Sequence, residues 1–153
     1  MFKHLVQFAA MVAVVGWARG VTLAGATWNG QPYSLTMPTH ISAIGQASTG
    51  SINLPLQHDS ACNISVSVAQ AGNEVLTHAG QTLTTYYKLT GAALQGDADA
   101  TWVTSSDFLT HVYHIASTGP MDTLTLSVKA TVPANSAPPA GDYNASIILT
   151  VTW

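Results

Sequence analysis

Tyr143-Asn144-Ala145-Ser146-Ile147-Ile148-Leu149-Thr150-Val151-Thr152-Trp153 closes the chain with an alternation that decides how the rest is read. A β-strand sends successive side chains to opposite faces, so Tyr143, Ala145, Ile147, Leu149, Val151 and Trp153 share one face. Asn144, Ser146, Thr150 and Thr152 share the other, with Ile148 the one apolar residue among them. Turn-forming residues, Pro138-Pro139-Ala140-Gly141-Asp142, set where the strand begins. A strand at the end of a chain has no successor to cover its outer edge, so the reading requires that something else does.

Working back from that stretch, the same period recurs. Leu124, Leu126, Val128, Ala130 and Val132 alternate with Thr125, Ser127, Lys129 and Thr131, and Leu83, Thr85, Tyr87 and Leu89 form another such series. Ile64, Val66 and Val68 predict a strand entered through Cys62, and Ile52, Leu54, Leu56 and His58 another, with Pro55 at an edge or on a non-bonded side. Tyr33, Leu35 and Met37 predict a short first strand, followed by a polar connection anchored inward by Ile41 and Ile44. Trp102-Val103 opens a short strand after the loop 91–100. Phe108 to Ile115 fits both helical and strand spacing, and its β-branched neighbours favour strand. Short strands separated by turns, with no long helix, predict an all-β protein, an immunoglobulin-type β-sandwich in a single domain over 21–153.

Residues 1–20 read as a secretory signal. Lys3 and His4 precede an apolar run from Leu5 to Ala18, too short to favour a membrane span, and cleavage falls after Gly20 or as late as Ala26. Removing the segment leaves Lys88 and Lys129 against seven acids, a net charge of −5. An acidic chain with so few cations has no footprint for nucleic acid. Charged residues make up only 7% of the sequence, which leaves little from which to build acid–base catalysis.

No chemistry-bearing motif stands out. Cys62 is the single cysteine, so no intrachain disulfide forms, and it reads as a small core thiol. His111 and His114 fall on opposite faces of a strand, and Asp97 and Asp99 share a face of a loop without the further oxygen ligands a cation needs. No serine sits in a glycine elbow, and no lysine follows a phosphate-cradling loop. No cofactor, metal or catalytic residue is expected. Asn63-Ile64-Ser65 and Asn144-Ala145-Ser146 match the glycosylation triplet, which matters only in a eukaryotic secretory setting.

The last third of the chain carries a resemblance. Leu124 to Val128, a Pro/Ala loop, Pro139-Ala140-Gly141-Asp142-Tyr143 and the alternating final strand resemble the end of chaperone-usher pilus subunits. The likeness is to the alternate class containing the colonisation-factor pilins and to the archaic, spore-coat-protein-U-like class. There a P-x-A-G-x-Y loop introduces the last strand, and Gly141 and Tyr143 stand at the matching places. The remainder of the chain matches only in strand spacing.

The resemblance implies an immunoglobulin fold lacking its final strand, completed by donor-strand complementation. A periplasmic chaperone fills the groove first, and the N-terminal extension of a neighbouring pilus subunit replaces it at an outer-membrane usher. Tyr143, Ala145, Ile147, Leu149, Val151 and Trp153 would form one wall of that groove, with the Trp153 carboxylate anchored to a chaperone base. Residues 21–30 would be the donor segment, begun by Val21 and Leu23 and interrupted by Gly25 and Asn29-Gly30. The implied role is structural, in a surface fimbria that contributes to adhesion to a host receptor or surface. The alternative is a self-sufficient secreted β-sandwich that binds a glycan or other ligand through Trp28, Trp102 or Tyr86-Tyr87.

Overall fold

Alternation survives almost wherever the chain runs extended, and it builds antiparallel sheets. The computed structural model describes residues 26–29, 32–37, 41, 43–95, 101–116 and 121–153. The expected signal segment 1–20, the expected donor positions Val21 and Leu23, and the loop acids Asp97 and Asp99 lie outside the described residues.

In chain order the elements are β1 (Ala26–Trp28), β2 (Ala47–His58), β3 (Cys62–Ser67), β4 (Thr77–His78), β5 (Gln81–Thr82), β6 (Thr84–Thr90), β7 (Leu94–Gln95), β8 (Val103–Thr104), α1 (Ser105–Thr110), β9 (Val112–Ile115), β10 (Met121–Thr131) and β11 (Ile148–Thr152). One sheet has the order β1-β2-β10-β6-β8, a second β11-β3-β9-β7, and β4 pairs with β5. The chain is thus mostly β-structure, and every strand pair is antiparallel.

The long pair β2 and β10 forms the spine of the five-stranded sheet, in register from Met121 opposite Gln57 to Thr131 opposite Ala47. Leu54 and Leu56 from β2 and Leu124, Leu126, Val128 and Ala130 from β10 are fully buried. Pro55 spares this ladder. Its carbonyl accepts the Asn29 N–H at 3.0 Å, so the position lacking an N–H faces the end of β1 and not β10.

The inward faces of both sheets feed one apolar core. A run of rings crosses it: Tyr87 of β6 stacks on Phe108 of α1 at 4.8 Å, and Phe108 meets Tyr113 of β9 at 5.9 Å. Burying a large side chain of this kind contributes about 1.5–3 kcal/mol.

Several expectations need correction. Phe108 to Ile115 is neither all helix nor all strand. Thr104 caps α1 by accepting the Asp107 N–H at 3.2 Å, the helix places Phe108 in the core, and β9 begins two residues after it ends. Tyr33, Leu35 and Met37 are buried in alternation with exposed Ser34 and Thr36, yet they join no ladder; Leu35 and Met37 pack over Gly50 instead. Ile41 is an inward anchor, whereas Ile44 stands on a turn and is exposed. Residues 26–28 of the expected donor segment are β1, an edge strand paired with β2 of the domain's own sheet.

Candidate functional site

The terminal stretch is the candidate site, and its backbone decides what it can do. Side chains and backbone groups both alternate along a strand: each residue's N–H and C=O point together to one edge, and the next residue's to the other. Asn144 exchanges both bonds with Thr77, at 3.0 and 3.1 Å, and the Ser146 N–H donates to the Asn73 carbonyl at 2.7 Å. β11 then takes over against β3, with Ile148, Thr150 and Thr152 opposite Ser67, Ser65 and Asn63. The Leu149 carbonyl is engaged from the opposite side, by the Trp28 indole N–H at 3.0 Å. It follows that the even-numbered residues from Asn144 to Thr152 bond inward to their own chain. Ala145, Ile147, Leu149 and Val151 turn their backbone groups to the other edge, where among the described residues only the Trp28 side chain meets them.

These four residues, with Tyr143, also bury their side chains in the core. The strand therefore presents an apolar inner wall and an open row of donors and acceptors on the same residues. If that edge were closed off from water without a partner, each unmet group would cost about 1–3 kcal/mol. Solvent or another strand must satisfy it.

Trp153 does not belong to this wall. β11 ends at Thr152, and Trp153 beyond it is 54% exposed, so the burial alternation read from the sequence runs from Tyr143 to Val151 and stops there. The expected single strand is also in two pieces: an isolated bridge at Asn144 and then β11, because its partner changes from the 73–77 segment to β3.

The loop before the strand has physical reasons for its residues. The buried Tyr143 hydroxyl donates to the Pro139 carbonyl at 2.9 Å, tying the loop's start to its end. Burial also pushes that hydroxyl's pKa up. Gly141 has φ of 157°, and a Cβ there would collide with the His78 imidazole. The His78 ring in turn packs on Tyr143 with centroids 5.3 Å apart, so loop and strand are locked through one imidazole. An open depression of about 590 Å³ lies beside this junction, lined by Gln70, Asn73, Val75, Thr77, Asn144 and Ala145 among others.

The aromatic residues of the ligand-binding alternative separate into two groups. Trp28 and Tyr87 are buried and committed, the first to Leu149 and the second through its hydroxyl to the Glu74 carbonyl at 2.7 Å. Burial raises the Tyr87 pKa strongly, with the Glu74 carboxylate adding to the rise. Only Tyr86 and Trp102 remain partly exposed.

No catalytic arrangement emerges among the described residues. His114 bonds the Asn63 side chain at 2.6 Å, while His111 rests against the Tyr113 ring. Sequence reasoning missed the pairing of buried His58 with Asp122, Nε2 to Oδ2 at 2.6 Å, with Nδ1 at 3.0 Å from the Ser60 carbonyl. Cys62 is near this pair but buried, and burial with the Asp122 charge raises its pKa, which opposes formation of a nucleophilic thiolate. Among the described residues no group of three or more His, Cys, Asp or Glu side chains could hold a metal ion, and no helix is long and apolar enough to cross a membrane.

Comparison with known proteins adds no relative: no protein-family model matches the chain, and no curated protein matches it at a significant level.

Proposed function

We propose that the chain is a structural, non-enzymatic subunit of a bacterial surface pilus, exported by its leader and assembled by strand addition. In this reading the two sheets are an immunoglobulin-type β-sandwich left one strand short beside β11. A periplasmic chaperone lends a strand to that edge, and at the outer-membrane usher the N-terminal segment of a neighbouring subunit takes its place. Val21 and Leu23, ahead of β1, would be this chain's own offering to the next subunit. The assembled fimbria would contribute to adhesion at the cell surface.

One observation carries the reading. Ala145, Ile147, Leu149 and Val151 combine side chains buried in the core with backbone groups directed at an edge that no described strand occupies. A guest strand pairing there gains main-chain bonds along the edge and sends alternate side chains in between the sheets. Gly141 and Tyr143, the residues that carry the pilin resemblance, are also the ones that lock the start of this strand.

The mature chain expressed alone is expected to be insoluble or oligomeric, and to become soluble when co-expressed with a periplasmic chaperone encoded by a neighbouring gene. A stable monomer that unfolds reversibly with no partner would overturn the proposal.

A further inference from the structure

The outer face of the five-stranded sheet gathers the only two lysines among the described residues. Lys129 on β10 stands opposite Tyr86 on β6, its ammonium 4.6 Å from that ring's centroid. Trp102, just before β8, is shared: Lys88 and Lys129 each approach its ring at 5.0 Å. The two ammonium groups are therefore no farther apart than twice that distance. All four side chains are half-buried, and the neighbours of Tyr86 along β6, Thr85 and Tyr87, point into the core, which fixes the cluster on the outward face.

No carboxylate among the described residues is paired with this cluster. Asp107, at the margin of the face, has its carboxylate held by the Thr104 hydroxyl at 2.7 Å. The rings attract and hold the ammonium groups, so less side-chain freedom is lost when an anion arrives. Beside them the strand registers set out a polar row: Thr49 opposite Lys129, Ser51 opposite Ser127, and Thr125 hydrogen-bonded to Asn53 at 3.1 Å. On a chain with seven acids and four basic residues, two of those acids being outside the description, this is the one basic spot in the described fold.

We infer that this face binds a linear acidic polysaccharide, its carboxylate or sulfate groups paired with Lys88 and Lys129 and its hydroxyls met by the adjoining Thr, Ser and Asn side chains. An open sheet face with two braced cations suits an extended polymer carrying repeated anions better than it suits a small molecule, which needs a concave pocket. The inference does not rest on strand addition. The cluster lies on the β10-β6-β8 side of its sheet, and β11 belongs to the other sheet.

The test is a titration of the mature chain, in whatever soluble form it takes, alone or with its chaperone. The probe is a short sulfated dextran, with unsulfated dextran, polyglutamate and phosphatidylglycerol vesicles as comparisons. Saturable binding to the sulfated probe that weakens with salt is expected, and the double variant Lys88→Gln, Lys129→Gln should weaken it by about tenfold or more at unchanged circular dichroism. Trp102→Ala should weaken it several-fold through loss of the brace. In a third variant the double Gln change is combined with Ser67→Lys and Gln95→Lys, exposed positions on the other sheet that restore net charge. Recovery of binding in that variant would show that overall charge and not this face is responsible, and would overturn the inference. Equal binding of polyglutamate or of the vesicles, or no binding to the sulfated probe, would overturn it as well.

Discussion

β10 and the terminal strand are near twins in sequence and opposites in situation. Each alternates apolar and hydroxyl-bearing residues over about ten positions and buries the apolar set. β10, however, lies between β2 and β6 and is bonded along both edges, whereas β11 has β3 on one side and on the other, among the described residues, a single indole. Alternation therefore reports that a strand has an inner face; it carries no information on whether both of its edges are occupied.

A matched pair of substitutions tests that contrast most severely. Ala130 in β10 and Ala145 in the terminal stretch are both buried alanines. Proline at Ala130 must remove a ladder bond to β2 or β6, and is expected to cost about 3 kcal/mol or more. Proline at Ala145, whose N–H faces the open edge, should cost less than about half as much in denaturant unfolding, yet weaken association with a chaperone strand. Equal losses at the two sites would mean that the edge is not open.

A smaller effect is expected at the hinge of the terminal strand. Gly141→Ala combines an unfavourable φ with a collision against His78 and should destabilise by about 1–3 kcal/mol. Adding His78→Ala should recover part of the loss, measurable as a coupling in a double-mutant cycle. Additive losses would remove His78 from the explanation.

Trp28→Phe should have the mildest effect, about 1 kcal/mol, because it deletes one hydrogen bond and keeps most of the apolar surface. Amide exchange sharpens the same contrast. Ile147, Leu149 and Val151 should exchange faster than Ile148, Thr150 and Thr152, more so in the Phe variant, while the central amides of β10 stay uniformly slow. Uniform protection along β11 would contradict the assignment of its edges.

Much of the fold was legible because period two is a local property. The inner faces of β3, β6 and β10 could be read directly from residues such as Ile64, Tyr87 and Leu126. What was not legible depends on partners distant in sequence. Phe108 to Ile115 carried two periods because a capped helical turn and a strand share eight residues, and the cap at Thr104 lies before the window. Tyr33 to Met37 alternates like a strand because it packs like one, but among the described residues it joins no ladder. For the candidate site, the buried face from Tyr143 to Val151 could be foreseen, as could the turn over Pro138 to Asp142 that precedes it. The exposure of Trp153 could not, since it depends on the ladder with β3 ending at Thr152 opposite Asn63. Nor could the Trp28 contact, which spans 121 residues, or the meeting of Lys88 and Lys129 over Trp102, which exists only through cross-strand register.

The convergence of the lysines has a practical consequence. Apart from the chain's N-terminal amine, primary amines in the described fold occur on a single surface, at Lys88 and Lys129. With the proposed leader and its Lys3 removed, amine-reactive coupling to a sensor chip or bead would therefore tether the molecule chiefly by the outside of the five-stranded sheet. Copies attached in this way would stand in one orientation, with β11 left facing the solution.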